Sequence, residues 1–181
     1  MSENEDSDTG EPLSGESLSD EEFVRELEAV LPSLRAFGRS LSGTRDRADD
    51  LVQETLMKAW AARARFRAGT SLRAWTFVIL RNSFLSDRRR LSTTMETSDE
   101  GVDAVMSTPA SQDRGLILED LQRALMQLPE AWREAVVLVG ASGLSYQEAA
   151  EICGCPIGTI RSRVARGRAE LDRIMNGAPG S

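Results

Sequence analysis

Cys153 and Cys155 stand one residue apart, and Arg161, Arg163, Arg166 and Arg168 follow them closely. Paired thiols can hold a metal or cycle through a disulfide, whereas arginines at this density can grip phosphates and guanine edges. A structural zinc site takes four ligands, and the chain has two cysteines and no histidine. A redox pair has two residues between its cysteines rather than one. No metal and no cofactor is therefore expected. Without histidine there is also no Ser-His-Asp triad or Cys-His dyad, so no catalytic residue is assigned and an enzyme is the remotest class. An ordinary amphipathic surface helix and a nucleic-acid reader remain.

The residues just upstream separate these two readings. In GLSYQEAAEI (143–152), Ser145 and Glu148 form a capping box that opens a short helix with Ala149, Ala150 and Ile152 on its apolar side. The connection Cys153-Gly154-Cys155-Pro156 then supplies a glycine for positive φ and a proline suited to the start of the next helix. Two helices joined by so short a turn predict a helix-turn-helix, with the cysteines as small packing residues. At about 100° per residue, Ile160, Val164, Gly167, Leu171, Ile174 and Met175 share one face of the second helix. Thr159, Ser162, Ala165 and Arg166 lie opposite, flanked by Arg161, Arg163 and Arg168. The first face would dock. The second would enter a major groove, where small residues permit close approach and arginines reach bases and phosphates.

A net charge of −7 argues against DNA binding until the charge is located along the chain. Residues 1–28 carry eleven carboxylates against Arg25. Residues 63–90 carry eight arginines against Asp87, and residues 91–120 carry seven carboxylates against Arg114. A second basic block runs from Arg161 to Arg173, and Lys58 is the only basic residue that is not arginine. Two arginine blocks separated by an acidic segment fit a polyanion gripped at two places; a solvated charged face is the blander reading of each block alone.

The elements carrying these groups are all helical in pattern, with no sustained alternation of period two. Residues 1–18 are polar and acidic and are expected to be a disordered tail. Ser19 and Glu22 form a capping box opening a helix with Phe23, Leu27, Val30 and Leu31 on its apolar side, and Pro32 predicts a fresh helical segment to Leu41, stopped by Gly43. A third helix over about 48–62 buries Val52, Leu56, Ala59 and Trp60 and exposes Asp49, Asp50, Gln53, Glu54 and Met57. After the loop FRAGTS (66–71), a fourth starts near Ser71 with Leu72, Trp75, Val78, Ile79 and Leu85 at helical spacing and closes on Arg88, Arg89 and Arg90. Within it the amide of Asn82 sits in an apolar run and would require a partner. The fold class is therefore all-α: two small helical domains, 19–91 and 116–176, joined by a flexible acidic linker over 92–115. With no apolar run of membrane-spanning length and no signal segment, no membrane is expected and the cytoplasm is the default compartment.

The motifs together resemble the extracytoplasmic-function sigma factors, the two-domain initiation subunits of bacterial RNA polymerase. DRADDLVQETLMKAW (46–60) resembles the family's region 2.2. FRAGTSLRAWTFVILRNSFLSDRRR (66–90) resembles regions 2.3 and 2.4, and LSYQEAAEICGCPIGTIRSRVARGRAEL (144–171) resembles region 4.2. The phrases RAWTFVILRNSFLS and LVGASGLSYQEAAEICGCPIGTI resemble more particularly the EcfG-type subgroup, which runs the general stress response in alphaproteobacteria.

The resemblance implies that Asp49, Asp50, Gln53 and Glu54 dock on the clamp helices of the polymerase β′ subunit and that region 4 meets the β flap. Ala62, Phe66, Ile79 and Asn82 would receive a base flipped from the −10 element, although Phe66 and Ile79 equally suit core packing. Arg81, Arg88, Arg89 and Arg90 would hold phosphates beside the melted strand. Thr159, Arg161, Ser162, Arg163, Ala165 and Arg166 would meet the −35 element, and Ala165 departs from members that carry an aromatic there. The linker would thread toward the RNA channel or serve only as a tether. A small helical anti-sigma protein would hold the chain inactive until a phosphorylated regulator removes it, and no small-molecule substrate is implied. A stand-alone helix-turn-helix regulator would explain 144–171 but not 66–90, and a sigma-mimicking regulator would need a receiver domain that has no counterpart here.

Overall fold

A computed structural model describes residues 18–67, 69–95 and 113–177. The expected acidic tail and most of the expected linker lie outside the described residues. Seven α-helices follow in order: α1 Asp20–Ser42, α2 Arg45–Ala61, α3 Leu72–Met95, α4 Asp113–Gln127, α5 Glu130–Val136, α6 Tyr146–Cys153 and α7 Ile157–Asn176. A short 3-10 turn, Arg63–Arg65, joins α2 toward α3, and a wide π turn, Val137–Ala141, extends α5. No strand occurs among the described residues.

The Ser19 capping box forms as its spacing predicts: the Glu22 amide donates to Ser19 Oγ at 3.3 Å and the Ser19 amide donates to the Glu22 carboxylate at 3.0 Å. Pro32 does not restart the helix. It lies inside α1, because Phe23, Leu27, Val30, Leu34, Phe37 and Leu41 continue one buried stripe straight across it. Burial of that stripe outweighs the one backbone hydrogen bond that proline removes. Gly43 ends α1 at φ +78°, and its amide donates to the Arg39 carbonyl at 2.9 Å.

Helix α2 crosses α1 closely enough that a β-carbon on Gly38 would lie 3.3 Å from the Ala48 carbonyl oxygen. It buries Ala48, Leu51, Val52, Thr55 and Ala59, and the Thr55 hydroxyl donates to the Leu51 carbonyl at 2.7 Å. Trp60, expected inside, is 39% exposed. One edge of its ring meets Phe23 while the Arg63 guanidinium covers its face at 4.1 Å, so the indole closes the rim of the core rather than entering it. Helix α3 begins where Ser71 Oγ accepts the Ala74 amide at 3.1 Å, and it continues beyond Arg90 to Met95, through the first residues of the expected linker. Helix α4 likewise starts slightly ahead of Leu116.

The two helical units do not hang apart. Val30, Leu34, Phe37 and Leu41 of α1 and Phe77, Leu80 and Phe84 of α3 form one core with Leu125, Leu128, Ala135, Leu138 and Leu144 of the second unit. Phe23, Leu27, Ala59, Phe66 and Leu72 form a smaller cluster at the far end of the first unit. Polar contacts cross the same junction: Arg73 Nη1 donates to the Ser142 carbonyl at 3.0 Å, and Gln122 Nε2 donates to the Arg39 carbonyl at 2.9 Å. Among the described residues no helix is long and apolar enough to cross a membrane.

Candidate nucleic-acid and partner interfaces

The second unit presents α7 as the exposed half of a helix-turn-helix. Helix α6 opens on the Ser145–Glu148 capping box, whose reciprocal bonds measure 3.1 and 2.9 Å. These bonds from the Ser145 backbone and side chain hold the Glu148 carboxyl below its ordinary range, with the Ser71 hydroxyl and Arg73 across the junction adding to the effect. Gly154 takes φ +63° at the turn, the Cys155 amide donates back to the Ala150 carbonyl at 3.1 Å, and the Pro156 carbonyl accepts the Thr159 amide at 2.9 Å. These bonds set the direction in which α7 leaves.

Ile160, Val164 and Gly167 of α7 are buried, and Leu171 and Ile174 are half-buried. Met175, expected on the same docking face, is exposed, because Ile174 takes the inner position of that last turn. On the outer side Arg161, Ser162, Ala165, Arg166 and Arg168 are exposed, with Thr159 and Arg163 half-buried. Ser162 Oγ donates to the Thr159 carbonyl at 2.9 Å, and Arg163 Nη1 reaches Cys155 Sγ at 3.6 Å. Arg161, Arg166 and Arg168 form no ion pair among the described residues, so their guanidinium groups face solvent with their donors available.

Both cysteines are free. Burial, with the neighbouring Glu134 carboxylate adding to it, pushes the Cys153 thiol up to about 12. A thiol held neutral in this way is a weak nucleophile at neutral pH. Among the described residues no group of three or more His, Cys, Asp or Glu side chains could hold a metal ion.

The first unit carries a second arginine-rich surface around the turn between α2 and α3. Phe66 is 7% exposed, packed edge-on to Phe23 at 6.1 Å and tilted against Trp75 at 5.4 Å. Ala62 and Ile79 are half-buried, and Ile79 packs against the same aromatic cluster. Asn82, one turn beyond Ile79, is exposed, so its amide needs no internal partner: the apolar run around it wraps the helix and leaves this position facing out.

The four predicted phosphate-holding arginines divide between two faces. Arg89 and Arg90 are exposed, the first donating to the Leu85 carbonyl at 3.3 Å and the second 4.0 Å from Asp87. Arg81 and Arg88 turn instead toward the second unit and meet Glu134 and Glu130. Arg63, Arg65 and Arg67 of the same basic block lie on the turn itself. Arg63 also donates through Nε to Asp20 at 2.7 Å.

A third surface lies on α2. Asp50 and Gln53 are exposed and continue into Met57, which is 73% exposed, and then Trp60. Asp49 lies 3.8 Å from Arg35 and 4.0 Å from Arg45, and Glu54 pairs with Lys58 at 2.5 Å. The four predicted docking residues thus separate into an open pair and a pair already engaged by neighbours. The exposed thioether and indole beside the open pair make this stripe amphipathic rather than simply acidic.

Residues 27–94, which include the α2 and α3 surfaces, match the sigma-70 region 2 family, and residues 118–171, which include the helix-turn-helix, match sigma-70, region 4. The chain is 50% identical over 147 residues to the ECF RNA polymerase sigma factor EcfG of Rhodopseudomonas palustris, covering 81% of each protein. This chain belongs to the extracytoplasmic-function sigma factors. It is also 38% identical over 125 residues to the ECF sigma factor SigC of Mycobacterium tuberculosis, covering 68% of each.

A solved structure of the sigma factor RpoE from Bartonella quintana, in complex with the anti-sigma factor NepR, is similar with a TM-score of 0.77. It is 49% identical, and the match covers 87% of this chain and 98% of that one. As a sigma factor the chain is a transcription initiation factor that directs promoter recognition. The fold is all-helical, as the sequence pattern predicts, and it carries the region 2 and region 4 units that the resemblance implies.

Proposed function

We propose that this sigma factor brings core RNA polymerase to a bipartite promoter in the cytoplasm, with region 4 reading the −35 element and region 2 holding the melted −10 strand. The single observation that carries the reading is the outer face of α7. Arg161 and Arg166 stand unpaired beside the small side chains of Ser162 and Ala165, on a helix fixed from behind by Ile160, Val164 and Gly167. Thr159 and Arg163 flank that face nearer the turn.

In region 2, Asn82 offers an exposed amide for a base edge, and Ile79, one turn before it on α3, packs on the aromatic cluster that holds Phe66, with Ala62 at the turn. Stacking and hydrogen bonding of this kind suit a base taken out of the duplex. Arg81, Arg88, Arg89 and Arg90 serve the phosphates. Asp50 and Gln53, joined by Met57, supply the open part of the surface for the β′ clamp helices, with Asp49 and Glu54 at its margins, and region 4 meets the β flap. The factor transfers no group itself and uses no metal or organic cofactor.

The 49% identity to a sigma factor solved with NepR supports control by a small helical anti-sigma factor, and the 50% identity to EcfG supports a role in general stress response genes. Co-purification with core polymerase followed by run-off transcription tests the reading. Association together with promoter-dependent transcripts is expected. A chain that binds DNA without core polymerase and supports no initiation would be a stand-alone regulator instead.

A further inference from the structure

Phe77, Arg81, Phe84 and Arg88 form one stripe along α3: Phe77 and Phe84 belong to the core shared with region 4, and Arg81 and Arg88 meet Glu134 and Glu130 of α5. Arg81 Nε donates to Glu134 Oε1 at 2.7 Å and Nη2 to Oε2 at 3.4 Å. The Arg81 side chain is 19% exposed and that of Glu134 is 5% exposed. Further along, the Arg88 guanidinium lies 5.7 Å from the Phe84 ring centroid and bonds Glu130. Glu130 and Glu134 are one helical turn apart on α5, so a single face of one short helix engages both arginines.

A guanidinium held in a carboxylate pair has part of its donor set and its charge already engaged, which weakens its grip on a phosphate. A half-buried ion pair is also a poor way to join two apolar surfaces, because desolvating both charges offsets their attraction. The pairing is understandable if Arg81 and Arg88 are needed by a polyanion in another state of the molecule.

We propose that Glu130 and Glu134 are an internal stand-in for the DNA backbone. In the free chain Glu130 and Glu134 of α5 reach across to α3, and the promoter strand competes with these two carboxylates for Arg81 and Arg88. The inference rests on the proposed role of those arginines in region 2. It makes the free factor a weak binder of single-stranded DNA, because apparent affinity falls with the fraction of molecules in which the two regions are apart. Exposing the phosphate-holding face and separating the regions are then one event.

The test uses the full chain and a 20-nucleotide single strand of arbitrary sequence, since phosphate contacts are indifferent to base identity. Three proteins are compared with wild type. Glu130→Gln with Glu134→Gln removes both carboxylates. Glu134→Asp keeps the charge but withdraws it from Arg81. Glu151→Gln with Asp172→Asn neutralises two exposed carboxylates of region 4 elsewhere and controls for net charge. The distance between dyes on regions 2 and 4 is read beside the affinity.

The double glutamine variant and Glu134→Asp should each bind the strand at least tenfold more tightly than wild type and show a longer inter-region distance, while the control pair does neither. Affinities equal to the control, expansion without tighter binding, or a gain in the double variant alone with Glu134→Asp at the wild-type value would each overturn the proposal. Run-off transcription by wild type with core polymerase, measured in parallel, reports on the sigma-factor reading separately.

Discussion

Gly167 of α7 sits on Val136 of α5 so closely that a β-carbon built on the glycine would lie 2.6 Å from Val136 Cγ2, with the Trp132 carbonyl oxygen at 3.3 Å. The recognition helix is seated by this contact at a position where only hydrogen fits. Gly167→Ala gains helix propensity of about 1 kcal/mol but overpacks the contact at a cost of about 1–3 kcal/mol. The net expectation is a lower urea midpoint, and adding Val136→Ala should recover part of the loss by removing the methyl group in the way. A Gly167→Ala protein more stable than wild type would show that α7 can lift without penalty.

Asn82 and Phe66 should separate in their effects. Asn82 is exposed, so Asn82→Ala should change unfolding free energy by no more than about 0.5 kcal/mol while reducing open-complex formation about tenfold. Phe66 packs against Phe23 and Trp75, and Phe66→Ala should cost about 3–5 kcal/mol of stability. Denaturation curves beside promoter-melting assays check both, and full melting activity in Asn82→Ala would remove the amide from the base pocket.

The Ser145–Glu148 cap predicts an acid limb in the stability of region 4. Glu148 has its carboxyl held below the ordinary value in the folded state, chiefly by the Ser145 backbone bond. Its contribution is therefore present above the unfolded carboxylate value and is lost as pH falls through the lower folded value. Glu148→Gln should flatten that part of the stability-versus-pH curve. Ser145→Ala should lower stability by about 1 kcal/mol at neutral pH, as followed by thermal melting between pH 3 and pH 7.

Arg166 and Arg168 are both exposed on α7 but lie on different sides of it. Arg166 is on the outer face, where a bidentate contact to guanine is worth roughly 1–3 kcal/mol of discrimination. Arg166→Ala should cut initiation about tenfold or more and relax preference at one −35 base pair. Arg168→Ala should weaken all promoters alike. Transcription over a panel of single-base −35 substitutions checks this, and an Arg166→Ala profile with wild-type shape, merely scaled down, would show that the residue does not read sequence.

Met57 is the most open apolar side chain beside Asp50 and Gln53. Met57→Ala should leave folding within about 0.5 kcal/mol of wild type and weaken association with core polymerase at least tenfold, a loss of about 1.4 kcal/mol. Titration of labelled factor against core polymerase measures it; unchanged affinity would move the docking surface off this stripe.

Local chemistry is what the amino-acid sequence by itself determined. Both capping boxes, the Gly154 turn, the buried Ile160–Val164–Gly167 stripe and the arginine-bearing outer face of α7 depend on neighbours within a few residues, and all were legible from spacing alone. Where a distant surface competes with a local preference, spacing could not decide. Pro32 reads as a helix start, yet the stripe from Phe23 to Leu41 carries the helix through it. Trp60 reads as core, yet Arg63 covers it at the rim, and Asn82 reads as an amide needing a partner, yet it faces solvent. The largest such decision is the packing of region 2 against region 4 through α1, α3, α5 and α6. No periodicity links Arg81 to Glu134, which are 53 residues apart. Among arginines that look alike along the chain, Arg90 meets Asp87 of its own helix, while Arg81 and Arg88 meet carboxylates of the other region only because apolar surfaces bring the two regions together.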